Sequence, residues 1–489
     1  MDSHICCNGP KLGAKSVNIN KSLNNMKKSK IKFYSSLSLL SAGSLLSNVH
    51  GAESPAAITT AAGWQKPAWL TDLTLGVKES YDDNLLGVSG DGLKPQASWI
   101  TTVSPKIGFN FAPLLGKKTA LQTLSLTYAP DFNIYEDASS QNYDAHKIGN
   151  SIKGKTGDFS FSLDNAFLDN DGNHQAPIYA LNQLGGAAAN QFDKYRNNYA
   201  HGMARERLAQ IQDRATALLQ YDWNKLFIRP TASLLYYDLQ SDWHNTGAAP
   251  WKGYQNYVDR SDVNGGVDLG YKFTTKLAAT LGYRYGSQYQ QQFPTAIDAD
   301  GHFSSSDYQR VLLGLEGKPW NWLNVKLAGG PDFRNYNSMA PVNDFHPIKY
   351  YGEAVLTATL TPSQTVTFNY KQWQWVSSSG KVPYFDSTFG LTYHWNATKK
   401  LGLDLGGKLL EADYTSGNEV TGSAPSLRDD VEYEVSAGLT YAFNSHFSAS
   451  LAYIYDLGNN VLDNLPASLA PDYRNFEHQL VSLGVQYKF

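Results

Sequence analysis

The chain has 489 residues, a formal net charge of −3, 17% charged residues and 13% aromatics, with Tyr alone at 31. A mean hydropathy of −0.40 with so few charges is unusual for a soluble enzyme. No run of about 20 apolar residues stands outside the N-terminal leader, which excludes a membrane-crossing helix there.

Residues 1–25 read as a mis-assigned upstream start, with a genuine long leader as the alternative. From Met26 the pattern is that of a secretory signal peptide over 26–51. Lys27, Lys28, Lys30 and Lys32 form a basic stretch, Phe33 to Leu46 a short apolar core, and Val49-His50-Gly51 places small residues before a cleavage point. Both cysteines, Cys6 and Cys7, fall in the discarded part, so the mature chain has no thiol chemistry. Residues 1–51 hold seven Lys, no Arg and one acid. Of the chain's 41 basic and 44 acidic residues, 34 and 43 then remain, a net charge of −9. That acidity argues against nucleic acid as a partner.

Residues 52–68, rich in Ala, Thr and Pro, read as a periplasmic lead-in, and 69–489 as one domain. From Trp69 onward, alternating segments of about 10–15 residues are separated in turn by short and long connections. The short ones are 113–118, 155–158, 223–225, 274–276, 321–322, 362–364, 396–400 and 444–446. Longer polar segments lie near 83–98, 136–141, 171–208, 240–257, 290–304, 337–347, 376–384, 415–429 and 458–473. Eight short turns give 16 strands. The opening run near Trp69–Asp82 and the closing run near Phe476–Phe489 bring the count to 18, even, with both barrel ends on the short-turn side. The expectation is an all-β fold: a closed transmembrane antiparallel up-and-down β-barrel of 16–18 strands in the cell outer membrane, with periplasmic termini.

Faces can be assigned by parity. Val263, Val267, Leu269, Tyr271 and Phe273 alternate with Asp262, Asn264, Asp268 and Lys272. Aromatics near the short turns, Tyr221, Phe273, Trp395, Phe443 and Phe489, suit a girdle at headgroup level. In the last nine residues Val485, Tyr487 and Phe489 share the apolar face. Such an aromatic-ended strand resembles the signal that barrel-assembly machinery reads. Implied partners are outer-membrane lipid, that machinery and small hydrophilic solutes.

Glu79-Ser80-Tyr81-Asp82-Asp83-Asn84, followed by Trp99-Ile100-Thr101-Thr102-Val103-Ser104-Pro105, resembles the opening hairpin of outer-membrane porins of the β-barrel porin 2 type. The match spans about 30 residues; the rest is similar in pattern only. The resemblance implies a porin-like barrel, with some members tied to extracellular polysaccharide systems, and brings no catalytic motif.

Four arginines, Arg214, Arg229, Arg284 and Arg310, fall on the polar face of the sixth, seventh, ninth and tenth predicted strands. They form either a basic stripe in the lumen or a set of charges neutralised by partners such as Glu316. Asp404, Glu432 and Glu434 sit on later strands and would make an opposing acidic wall. Lys371, Trp373 and Trp375 share the inward parity, where a Trp pair could stack on a saccharide. A bulge turning both Trp residues out to the aromatic belt is the simpler reading. Trp243, Trp251, Tyr254 and Tyr257 raise the same question in a long connection. The 171–208 connection, with Gly185 to Ala189, either folds into the pore or lies outside it. Asp169-Asn170-Asp171-Gly172-Asn173 hints at a calcium turn, but an EF-hand needs Gly and Glu where His174 and Ala180 stand, so no metal is expected. No His-Glu-x-x-His, phosphate loop or Gly-x-Ser-x-Gly is present. Asp242 and His244 alone do not make an enzyme, and no cofactor is expected. The functional expectation is passive diffusion of small hydrophilic solutes, saccharides among them. The alternatives are a non-conducting surface barrel that binds a partner or serves exopolysaccharide secretion, and, further off, an outer-membrane hydrolase.

Overall fold

In the computed structural model the described residues are 66–85, 95–116, 120–172, 209–240, 259–291, 305–336, 348–376, 383–417, 426–462 and 476–489. Nineteen strands form one sheet. They are β1 (Leu70–Asp82), β2 (Ser98–Asn110), β3 (Leu121–Tyr128), β4 (Asp131–Tyr135), β5 (Tyr143–Thr156), β6 (Phe159–Asp171), β7 (Gln210–Trp223), β8 (Leu226–Leu239), β9 (Arg260–Lys272) and β10 (Leu277–Gln290). The series continues with β11 (Ser306–Trp320), β12 (Leu323–Tyr336), β13 (Ile348–Thr361), β14 (Gln364–Trp375), β15 (Tyr384–Asn396), β16 (Leu401–Gly417), β17 (Ser426–Ala442), β18 (Phe447–Leu462) and β19 (Phe476–Lys488).

β3 and β4 are the two halves of one wall strand. β3 and β4 both lie between β2 and β5, and the interruption falls at Ala129-Pro130. Proline has no N–H for the ladder, so a break there is its expected effect. With β3 and β4 counted as one strand, every neighbour in sequence pairs antiparallel, and β1 pairs with β19 from Thr74↔Lys488 to Asp82↔Leu480. The result is a closed 18-strand antiparallel barrel. Closure matters because an open edge would leave ladder groups unpaired in lipid.

The closing seam is reinforced at both ends. At the short-turn end the Phe489 amide donates to the Leu73 carbonyl at 2.9 Å. At the far end the Asp83 amide donates to the Gln479 carbonyl, the Gln479 amide to Asp83 Oδ1 at 2.7 Å, and Asn84 Nδ2 to the Glu477 carbonyl at 2.8 Å. The Tyr81-Asp82-Asp83-Asn84 segment therefore ties the first strand to the last.

Polarity is inverted relative to a soluble protein. Large apolar side chains are exposed: Leu281, Leu313, Val435, Leu483 and many like them face outward. Arg310, Asp332, Arg334, Gln288 and Glu432 are buried within the barrel. Such a surface is stable only against hydrocarbon, so the barrel sits in a bilayer, and a closed strand-built barrel is the outer-membrane architecture. No helix among the described residues is long and apolar enough to cross a membrane.

The short turns cluster at one end, periplasmic by the outer-membrane pattern. Asn224 takes a left-handed φ of 56° at the β7–β8 turn, a conformation Asn tolerates. Aromatics ring this end: Trp320 stacks on Trp322 with centroids 5.8 Å apart, and Tyr271–Phe273, Tyr441–Phe443 and Tyr487–Phe489 pair edge to face. Tyr221, Phe273, Phe443 and Phe489 of the expected girdle are exposed there.

Candidate functional site

The site is the lumen wall from β7 to β12. Each of these six consecutive strands places one arginine on its inward face: Arg214, Arg229, Arg260, Arg284, Arg310 and Arg334. Arg260 and Arg334 escaped the sequence reading, although both have the inward parity of Asp262 and Asp332 beside them.

Of the two readings of the arginines, the geometry favours charges set against acidic partners. Arg229 binds both carboxylate oxygens of Glu316 and lies 3.7 Å from Asp268. Arg284 Nη1 is 2.7 Å from Asp268 Oδ1. Arg310 Nε donates to Asp332 Oδ2 at 2.8 Å, and Arg334 donates to both oxygens of Asp332 at 3.1 and 2.9 Å. In this low-dielectric wall an unpaired guanidinium would be costly, and acids on neighbouring strands offset that cost. Asp262 accepts from Tyr308 Oη, Gln288 Nε2 and Asn264 Nδ2 at 2.9, 2.9 and 3.0 Å. The wall is thus a salt-bridge network with alternating sign. Arg310 lies between the Tyr308 and Tyr351 rings, 3.9 and 4.6 Å from their centroids. The end of the Tyr308 ring reaches over Gly286; a Cβ there would come within 2.4 Å of Tyr308 Cζ, so a larger residue would displace the ring.

On the other side Glu432 and Glu434 are buried on the inner face of β17, with Lys408 Nζ 3.6 and 3.7 Å away. His394 Nδ1 lies 2.7 Å from Asp404 Oδ1. These acids too have local partners.

The simpler reading of the Trp pair, a bulge turning both outward, is corrected. β14 keeps continuous register with β15 from Gln364↔Trp395 to Trp375↔Tyr384. Trp373 and Trp375 therefore stay on the inward face, stacked on each other at 4.5 Å. They are almost fully buried with Val376, Tyr384 and Ala412, against Leu235, Tyr237 and Tyr351. Neither Trp face is open to a solute.

This cluster has a consequence for the pore. The outer end of β14 reaches across the lumen to strands that are not its neighbours. Gln288 Nε2 of β10 and Arg334 Nη2 of β12 donate to the Gln374 carbonyl, at 2.9 and 3.3 Å. Arg260 Nη1 of β9 donates to the Val376 carbonyl at 3.0 Å, and its guanidinium covers Trp375 and Tyr237. The β14–β15 hairpin end is a bridge across one side of the outer lumen. Nearer the short turns, a cavity of about 310 Å³ opens beside Gln220, Phe227, Lys272, Glu316 and Lys326.

Val485, Tyr487 and Phe489 are exposed on the outer face of the closing seam. Several expectations lie outside the described residues: the upstream segment, the signal peptide and most of the lead-in, residues 173–208 with Gly185 to Ala189, Asp242, Trp243 and His244, and Trp251, Tyr254 and Tyr257.

No protein-family model matches the chain, and no curated protein matches it. The assignment to the β-barrel porin 2 type therefore has no family match behind it. Among solved structures, the chain is similar to Pseudomonas aeruginosa OpdQ, at 12% identity over 86% of this chain and 97% of that one, with a TM-score of 0.38. It is similar to Pseudomonas aeruginosa OccK2 (OpdF) in complex with glucuronate, at 9% identity over 86% and 98%, with a TM-score of 0.39. The siderophore receptor PirA from Acinetobacter baumannii is similar at 9% identity over 86% and 81%, with a TM-score of 0.38.

Proposed function

We propose that the protein is a porin-like channel for passive diffusion of small hydrophilic solutes, with saccharides and charged sugars as the class to try first. The observation that supports this reading is the polar, salt-bridged inner face of an 18-strand barrel, a size at which an aqueous channel is normally left open. Among the described residues the lumen is narrowed by the β14–β15 hairpin end and not by a separate plug domain. Purified protein in a planar bilayer should give stable conductance steps. A barrel that is silent at every voltage would favour the alternative, a surface barrel serving a partner or exopolysaccharide secretion.

Two variants refine the reading. Arg284 is the accessible member of the network, with Asp268 able to fall back on Arg229 when it is lost. Arg284→Gln should lower the anion-to-cation permeability ratio, read as a shift in reversal potential under a salt gradient. An unchanged potential would place Arg284 outside the ion path. Trp375→Ala removes the largest wedge of the hairpin bridge. Single-channel conductance should rise in that variant. Equal conductance would mean that ions pass elsewhere in the lumen.

We further propose that Val485, Tyr487 and Phe489 present the closing strand to the barrel-assembly machinery.

A further inference from the structure

The outer end of the closing seam gathers three metal-ligating groups from opposite ends of the chain. Asp82 ends β1, Asp83 follows it, and His478 stands near the start of β19. One oxygen of each carboxylate and one imidazole nitrogen lie within 4.8 Å of one another. Asp82 and His478 are 2% and 1% exposed. Asp83 is half-buried, which leaves a route from solvent.

The carboxylates are held in place before any ligand arrives. The Asn84 amide donates to Asp82 Oδ1 at 3.0 Å, and the Gln479 amide fixes Asp83 Oδ1. The imidazole is oriented as well, with Nδ1 3.3 Å from Asp456 Oδ2 on β18. Its other nitrogen is the telling atom. Nε2 is wholly buried and pairs with Asp82 Oδ1 3.2 Å away, an ion-pair contact outside strict hydrogen-bond geometry. Deprotonated, that nitrogen would turn a lone pair toward the carboxylates, which a cation between them can use.

A bound metal ion uses it. Zinc ligands of the N and O type stand 2.0–2.2 Å from the ion, which in a tetrahedron separates them by about 3.3 Å. The Nε2–Oδ1 separation is 3.2 Å. Metal-bound histidines commonly give their second N–H to a carboxylate, the place that Asp456 occupies. One imidazole with two carboxylates suits zinc or a similar divalent transition ion better than calcium or magnesium, which favour all-oxygen sets.

We propose that Asp82, Asp83 and His478 bind a divalent transition-metal ion of the zinc class, with Asp456 as the positioning residue. The ion would staple the first strand to the last at the outer end of the seam, with water in the remaining coordination position.

The test uses the full-length barrel, purified in detergent and stripped with a chelator. Calorimetric titration with zinc chloride should give one saturable site per barrel, and zinc should raise the temperature at which the folded form is lost on heating. His478→Gln should weaken zinc binding at least tenfold. Asp456→Asn should weaken it by about 10–100-fold, because the imidazole is no longer held. No saturable binding to the parent barrel would overturn the site and leave His478 as a protonated bridge between Asp82 and Asp456. Unchanged affinity in a folded His478→Gln barrel would overturn it equally. Should that variant fail to assemble, Asp83→Asn at the half-buried ligand decides: weakened binding supports the site, and unchanged binding rejects it.

Discussion

Replacing Asp332 with Ala will cost about 3–5 kcal/mol of folding free energy, the usual effect of removing one partner from a buried ion pair. Asp332 is 1% exposed and is the carboxylate that both Arg310 and Arg334 contact. Its loss leaves two guanidinium groups in a wall that water scarcely reaches. Arg334 would keep Gln288 Oε1 at 2.6 Å and Ser306 Oγ at 3.1 Å, but neither partner carries charge. The measurement is reversible unfolding in urea after refolding into lipid vesicles. A triple variant that also replaces both arginines with Met should recover much of the loss, because it removes the charges along with their partner. A loss below about 1 kcal/mol in the single variant would mean that lumen water solvates the arginines, as it does at exposed pairs.

The second large effect is expected on the opposite face. Leu313→Arg should cost about 2–4 kcal/mol, the range for a cation at the midplane of a barrel's lipid face. Leu313 lies midway along β11 and is 70% exposed, the most exposed leucine of the described wall. Leu312, its neighbour on the inner face, is buried. The same unfolding assay reads the change, and Leu313→Ala serves as a control for packing. Parity in this strand alternates residue by residue, so a mild effect at Leu313 would place β11 one residue out of register with its assigned faces.

Most of the wall was legible in the sequence, and the reason is periodicity. Val263, Val267, Leu269 and Tyr271 against Asp262, Asp268 and Lys272 can satisfy a bilayer and water at once only as a strand. The hairpins announced themselves through turn residues, so strand order followed from chain order. What stayed hidden depends on register and on distance across the lumen. Arg310 and Asp332 are direct cross-strand partners. The two-residue turn at 321–322, extended in register, would oppose inward Arg310 to outward Phe333. A bulge between Gly317 and Trp320, with Gly317 at a φ of 131°, shifts the register by one and brings Asp332 opposite. The contacts of Gln374 and Val376 with β9, β10 and β12 had no sequence signal, because they join strands that are neither consecutive nor adjacent. The Trp pair was therefore ambiguous: alternation pointed inward, and only the continuous β14–β15 pairing and the packing against Tyr237 and Arg260 place it.

The β1–β19 pairing also dictates how this chain must be born. Ser80 and Ser482, whose hydroxyls meet at 2.9 Å, are 402 positions apart. No fragment of the chain can make that contact, and any shorter sheet would hold two raw edges in hydrocarbon. Local hairpins repay their ordering early, whereas so distant a pairing delays the rate-limiting step until synthesis is complete. Until β19 meets β1 the sheet keeps both edges open, and the barrel is completed by that one pairing. A nonsense mutation anywhere before β19 should leave no partial pore, only material for proteolysis.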